Sequence, residues 1–135
     1  MKRKDYCFEL EFRVRDYEVD GEGIVNNANY LHYMEHTRHV FCEEAGLSFA
    51  EMIERGLTPV VRKAELTYHS SLHMRDRFVS RLAVRREGPR FLFYQDIYAL
   101  PDERLAVSGV VTTVCTRDGR PTRGDELAEA FKKYL

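Results

Sequence analysis

The chain has 135 residues, of which 44% are hydrophobic, and its formal net charge is −1. This length fits one compact domain, and the composition is ordinary for a globular protein. A nearly neutral chain has no general attraction for nucleic acid or an anionic membrane, so neither is expected as a partner. No apolar run approaches the roughly 18 residues that a membrane span needs.

The cysteines and the first residues bear on the compartment. Cys7, Cys42 and Cys115 are odd in number and far apart, which fits neither a disulfide framework nor a metal motif. Residues 1–5 are basic but no apolar stretch follows them, so no signal peptide is expected. We predict a cytoplasmic protein with a single domain over residues 1–135.

The first half of the chain changes from strand to helix periodicity. Apolar and charged residues alternate over residues 8–15, which predicts a strand with one buried face. Apolar residues at three- and four-residue steps predict a long helix over residues 29–45, with Asn26 or Asn27 as its N-cap. A shorter helix is predicted over residues 49–55.

The second half consists of predicted strands that are joined by short turns. The strands cover residues 58–68, 78–86, 91–99 and 105–115, and a short amphipathic helix begins near residue 125. Short connections require antiparallel pairing, and the long helix must bury its apolar stripe against the sheet. The 105–115 segment is rich in small and β-branched residues, which predicts a central strand covered on both faces. The pattern therefore predicts an α+β protein with a curved antiparallel sheet around one long helix.

The stretch between the first strand and the long helix is acidic, glycine-rich and rich in amides. From Asp20 to Tyr30 it reads DGEGIVNNANY. This stretch resembles the motif of hotdog-fold acyl-CoA thioesterases of the 4-hydroxybenzoyl-CoA thioesterase type. Segments elsewhere agree with it, and the resemblance covers nearly the whole chain. The agreeing segments are Arg13 to Tyr17, Tyr33-Met34-Glu35, Glu65 to Tyr68, Asp76 and Gly119-Arg120-Pro121.

The resemblance implies an enzyme that hydrolyses acyl-CoA without a metal or another cofactor. Asp20 is the implied catalytic aspartate, which either attacks the thioester carbonyl or takes a proton from water. Asn27 is the implied polarising amide, at a helix start whose free N–H groups favour an oxyanion. The implied substrate-binding residues are Gly23, Ile24, Val25, Tyr30 and Tyr68. The family further implies a homodimer or homotetramer whose sheets pair edge to edge, with the active site at the subunit interface.

Other interpretations of these residues remain open at this point. Asp20-Gly21 is a common turn pair, and Glu18 and Glu22 are equally explained as solvated loop charges. Tyr30, Tyr68 and Phe93 are explained equally well as an acyl pocket or as core.

The long helix carries further candidates. Glu35 is a second candidate carboxylate, because other hotdog enzymes carry a catalytic glutamate on this helix. His32 and His36 have the spacing of metal ligands on a helix, but they fall on its polar side, together with His39.

Basic residues near strand ends are candidates for holding the phosphates of CoA, although outward charges also keep strand edges soluble. His69-Ser70-Ser71 stands where the family often has a basic residue, which weakens the expected phosphate contacts. The basic residues that are candidates for phosphate binding are Arg62, Lys63, Arg85, Arg86 and Arg90.

Two other functions fit the same fold. A hydratase or dehydratase needs a histidine with a carboxylate near the helix start, and residues 16–29 contain no histidine. A non-catalytic acyl-CoA-binding module would not need Asp20 at all.

Overall fold

The computed structural model describes residues 5–135; residues 1–4, most of the basic N-terminal stretch, lie outside the described residues. A short 3₁₀ turn at Asp16–Glu18 follows the first strand. The helices and strands are β1 (Phe8–Arg13), α1 (Asn27–Glu44), α2 (Phe49–Glu54), β2 (Leu57–Tyr68), β3 (Arg77–Glu87), β4 (Arg90–Ala99), β5 (Arg104–Arg117), β6 (Arg120–Pro121) and α3 (Asp125–Phe131).

The six strands form one sheet in the order β1-β3-β4-β5-β2, and the short β6 pairs with β5. Every neighbouring pair is antiparallel. α1 packs on this sheet through aromatic contacts: the rings of Tyr33 and Phe78 are 4.7 Å apart, and those of Phe41 and Phe8 are 5.8 Å apart. The predicted sheet around one long helix is therefore confirmed.

β5 is a central strand, as predicted, since it lies between β4 and β2. The prediction that it is covered on both faces is wrong, because the strand covered on both faces is β4. Residues 93–99 are all buried, whereas β5 alternates between buried and half-buried positions. Long side chains cover the outer face of β4, where the Arg81 guanidinium lies 5.0 Å from the centre of the Tyr98 ring. In β5 the small residues instead make room for α1, because a Cβ at Gly109 would lie 3.1 Å from the side chain of Met34.

α1 begins two residues earlier than predicted. Asn26 is its N-cap, and the Asn26 side chain accepts a hydrogen bond from the Ala28 N–H at 3.0 Å. Within residues 5–135 no helix combines the length and the apolar character that crossing a membrane would require.

Candidate active site

The loop that leads into α1 is fixed by a buried carboxylate, that of Glu18. Glu18 is only 5% exposed, and it accepts hydrogen bonds from the Arg15 backbone N–H at 2.8 Å and the Tyr33 hydroxyl at 2.9 Å. The Arg15 guanidinium lies 2.7 Å from the same carboxylate. Burial opposes ionisation of Glu18, but these hydrogen bonds outweigh it and lower its pKa. The interpretation of Glu18 as a solvated loop charge is therefore wrong.

Asp20 opens a tight turn that Gly23 closes. The Gly23 N–H donates to the Asp20 carbonyl at 3.0 Å, and the Asp20 N–H donates to the Ile24 carbonyl at 2.9 Å. Gly23 has φ +79°, a left-handed value that favours glycine, whereas Gly21 lies outside that region. The Asp20 side chain is exposed, and its Oδ1 accepts the Glu22 N–H at 2.8 Å. The turn therefore holds this carboxylate on the surface in a defined orientation.

The start of α1 offers one free backbone donor. The Ala28 N–H is bound by the Asn26 side chain, and the Asn29 N–H donates to the Asn26 carbonyl at 2.9 Å. The Asn27 N–H meets no acceptor within residues 5–135. A free donor in the first helical turn carries part of the positive end of the helix dipole, which favours a developing negative charge.

A cleft of about 390 Å³ joins the turn to this helix start. Of the site residues predicted from the sequence, Gly23 alone does not line this cleft; it acts through the turn. Tyr30 and Tyr68 form one wall, with ring centres 5.7 Å apart in an edge-to-face arrangement. The cleft is lined by Asp20, Ile24, Val25, Asn26, Asn27, Tyr30, Tyr68, His69, Ser70 and Ser71.

The two tyrosines of this wall differ in exposure. Tyr30 is buried, and its hydroxyl accepts the Leu72 N–H at 3.1 Å, while burial raises the pKa of its phenol. Tyr68 is 50% exposed, and its hydroxyl donates to the Asn27 carbonyl at 3.4 Å. Tyr30 therefore belongs to the core as well as to the cleft, whereas Tyr68 is free to meet a ligand. Phe93 does not line this cleft.

His69 is a cleft residue to which sequence reasoning gave no catalytic role. It follows the end of β2, and its Nε2 lies 2.9 Å from the Ser108 hydroxyl on β5. The Ala106 carbonyl accepts hydrogen bonds from the backbone N–H groups of His69 at 2.8 Å and Ser70 at 3.1 Å. The sequence places His69 more than forty residues after Asp20, so the pairing of β2 with β5, and not local spacing, brings it to the cleft.

The basic residues proposed for CoA phosphates lie elsewhere on the chain. Arg62, Lys63 and Arg90 line a broad depression of about 640 Å³ on the sheet. Arg62 is six strand positions before Tyr68, which is about 20 Å along β2. Arg86 is paired with Asp125 at 2.9 Å. A single chain therefore does not bring these side chains to the Asp20 cleft.

The three histidines of α1 do not meet at one site: His32 and His36 line a common depression, whereas His39 lines another cavity. His32 contacts the Asn29 side chain, His36 meets the edge of the Phe12 ring, and His39 stacks on Phe49 at 4.5 Å. The part of the chain that the structure describes contains no group of three or more His, Cys, Asp or Glu side chains arranged to hold a metal ion. Glu35 lines a different cavity from Asp20.

Comparison with known proteins gives a family match over most of the chain. The model of the thioesterase-like superfamily matches residues 14–135. The acyl-acyl carrier protein thioesterase ATL3, chloroplastic, of Arabidopsis thaliana is 34% identical over 96 residues, which are 70% of this chain and 50% of that protein. Its relative ATL2 is 32% identical over 117 residues, 85% of this chain and 62% of that protein. The chain thus spans about half to three fifths of the length of these relatives.

Solved structures match the whole architecture. A hypothetical protein from Aquifex aeolicus superposes with a TM-score of 0.86 at 25% identity, covering 91% of this chain and 98% of that chain. A DHNA-CoA thioesterase from Staphylococcus aureus gives a TM-score of 0.84 at 23% identity, covering 93% and 88%. A hypothetical protein from Staphylococcus aureus in complex with CoA gives 0.86 at 19% identity, covering 99% and 87%. These likenesses confirm the predicted hotdog fold.

Proposed function

This chain belongs to the thioesterase-like superfamily, and from that premise we propose that it hydrolyses an acyl-CoA thioester to the free acid and CoA. The observation that carries the proposal is the cleft at the start of α1. There the Asp20 carboxylate, fixed by its turn, lines the same space as Asn27, whose backbone N–H has no acceptor within residues 5–135.

The proposed chemistry uses both groups. Asp20 either attacks the thioester carbonyl to form a mixed anhydride or takes a proton from the attacking water. The Asn27 N–H and the positive end of α1 stabilise the oxyanion, and the loss of one such donor typically costs about 3–4 kcal/mol in the barrier. The C–S bond then breaks, water supplies the hydroxyl of the acid, and the thiolate takes up the remaining proton.

The proposed substrate contacts follow the walls of the cleft. Ile24, Val25, Tyr30 and Tyr68 supply apolar surface for the acyl group, and Gly23 permits the turn that presents Asp20. CoA is the proposed carrier because one structural neighbour is in complex with CoA and another is named a DHNA-CoA thioesterase. The Arabidopsis relatives are named for acyl carrier protein, so the test must compare the two carriers. The 4-hydroxybenzoyl-CoA type is the finer proposal within this family.

The proposal is tested by measuring thiol release from a panel of aryl- and alkyl-CoA thioesters and from matching acyl carrier protein thioesters. We expect turnover of at least one acyl-CoA and a loss of about 10²-fold or more for Asp20→Asn, as for a positioned acid–base group. Glu22→Gln is the matched control, because its side chain is exposed in the same turn and makes no contact with Asp20 other than through its backbone.

Two outcomes would contradict this proposal. Equal rates for the wild type and Asp20→Asn would remove Asp20 from the mechanism. Tight binding of acyl-CoA with no thiol release from any substrate would favour the non-catalytic binding module instead.

His69 favours one second candidate, a hydratase or dehydratase that acts on acyl thioesters. The absence of a histidine from residues 16–29 argued against this activity, but the fold brings His69 into the cleft that Asp20 lines. The two activities are distinguished with an enoyl-CoA substrate. Consumption of the double bond without thiol release would support the second candidate, and thiol release alone would support the thioesterase.

A further inference from the structure

A second cavity lies between α1, α2, α3 and the sheet, and it has a volume of about 140 Å³. It shares no lining residue with the Asp20 cleft. Arg38, which lines it, is eleven helical positions after Asn27 and therefore about 16 Å farther along the axis of α1. Within a single chain the two cavities are therefore distinct.

Arg38 is held in this cavity by a buried amide. Its Nη1 donates to the Gln95 Oε1 at 3.0 Å, and the Gln95 Nε2 donates to the Met34 carbonyl at 2.9 Å. Gln95 is completely buried on β4. A fully buried glutamine on β4 therefore fixes the orientation of the guanidinium.

The charge of Arg38 has no carboxylate partner within residues 5–135. No Asp or Glu oxygen of that part of the chain comes within 4.0 Å of its guanidinium, although Glu35, one turn earlier, also lines the cavity and attracts it. Burial lowers the pKa of Arg38, which reflects the cost of removing this cation from water. A guanidinium has five N–H donors, and the single bond to Gln95 leaves the others for a ligand.

The remaining walls are apolar and largely aromatic. Phe93 and Phe131 meet edge to face with ring centres 6.3 Å apart, and His39 stacks on Phe49 at an interplanar angle of 18°. Burial lowers the pKa of His39, so at neutral pH its imidazole ring is uncharged and forms part of the cavity wall. An apolar cavity of about 150 Å³ is large enough for benzene, so this one, at about 140 Å³, has room for an apolar body of about the size of one six-carbon ring.

We propose that this cavity binds a small carboxylate with a ring-sized apolar body. The carboxylate accepts hydrogen bonds from Arg38, and the apolar body lies among Phe49, Phe93 and Phe131. Such a pairing is charge-assisted and partly shielded from water, which makes it stronger than a surface ion pair. Carboxylic acids are also the class that thioester hydrolysis releases; that link rests on the proposed function, whereas the site does not.

The test measures binding of phenylacetate and of its neutral match, phenylacetamide, to the full chain by calorimetry. We expect phenylacetate to bind at least about tenfold more tightly, since a hydrogen bond to a charged group is worth that much. Arg38→Gln should abolish this preference. Arg55→Gln, which removes an exposed guanidinium from the end of α2, should leave it unchanged.

A second measurement on the unaltered chain covers the case in which Arg38→Gln fails to fold. With ¹³C-methyl methionine labels, phenylacetate should shift the Met52 resonance, because Met52 lines this cavity. The Met74 resonance should stay in place, because Met74 adjoins the Asp20 turn through its bond to the Gly23 carbonyl.

A shift of Met74 without Met52 would place the acid in the Asp20 cleft and overturn the proposal. Equal affinity for the acid and the amide, or no binding of either, would also overturn it. These outcomes are independent of thiol release, so this proposal and the proposed function can fail separately.

Discussion

At the scale of single residues, Glu18 fixes the loop that leads into α1. A carboxylate that is 5% exposed is costly unless its hydrogen bonds are satisfied. Arg15 and Tyr33 supply these bonds, and the Glu18 carbonyl also accepts the Asn26 N–H at 3.0 Å and the Asn29 side chain at 2.8 Å. One residue thus ties the 3₁₀ turn, the loop and the first turn of α1 together.

Glu18→Gln should lower the free energy of unfolding at pH 7 by about 1–3 kcal/mol, the value of hydrogen bonds to a charged group. The folded-state pKa of Glu18 lies below its ordinary 4.5, so its contribution is complete above pH 4.5 and is lost as the pH falls through the folded value. Urea denaturation from pH 7 to pH 3 checks this. The difference between wild type and variant should narrow in acid.

The matched control for this prediction is Glu22→Gln, because Glu22 is exposed in the same loop. This control should keep its stability close to that of the wild type at every pH. A Glu18→Gln protein as stable as the wild type at pH 7 would show that the buried carboxylate does not fix the loop.

At the scale of elements, the turn from Asp20 to Gly23 connects the loop to the cleft. The backbone that follows the turn is bound to the segment after β2: the Val25 N–H donates to the Leu72 carbonyl at 2.9 Å, and Ile24 pairs with His73. The position of the Asp20 carboxylate therefore depends on the segment after β2 as well as on α1. A change in this turn should therefore alter activity and not only stability.

Gly23→Ala should destabilise the chain by about 1–2 kcal/mol, the cost of a left-handed backbone for an L-residue, and should reduce thiol release. Gly21→Ala is the matched control in the same turn. A Cβ at either position meets nothing within 4 Å, and only Gly23 has a positive φ. Gly21→Ala should be close to neutral, and equal losses in both variants would contradict the role of φ at Gly23. Thermal unfolding and the thiol assay measure both effects.

At the scale of the whole molecule, the sheet ends in two edge strands, β1 and β2, and β2 is the longer. It is twelve residues long and pairs only with β5 among the strands of residues 5–135, and Val61 and Tyr68 on it are 47% and 50% exposed. Long unpaired edges are templates for pairing with another chain. We propose that a second copy pairs with β2, as the family resemblance implies, and that the protein is a homodimer or homotetramer.

Light scattering should therefore give a mass of two or four times the 15.9 kDa of the chain. Ala64→Glu, in the middle of β2, should shift the mass toward that of one chain, because a charge would be buried in the pairing. Ile53→Glu changes an exposed residue of α2 instead and should leave the mass unchanged. A wild-type mass of 15.9 kDa at the concentrations used in the thiol assay would contradict the proposal.

The order and type of the helices and strands could be predicted from the sequence because they depend on local periodicity. Alternation predicted β1 to β4 within a few residues, a run of small and β-branched residues predicted β5, and three- and four-residue steps predicted α1. The candidate site came from the resemblance of the motif from Asp20 to Tyr30 to a known family, and the roles of its residues stay predictions. Asp20, Asn27, Tyr30 and Tyr68 line one cleft in the structure.

Contacts between distant segments were decided only by the tertiary structure. The buried Glu18 carboxylate is hydrogen-bonded by Tyr33 of α1. His69 reaches the cleft through the register of β2 with β5. The Arg38 guanidinium is oriented by Gln95 from β4. No local pattern encodes these pairings, because each joins residues through the packing of α1 on a curved sheet. The periodicity of a segment specifies which of its faces is buried, whereas the fold specifies what that face meets.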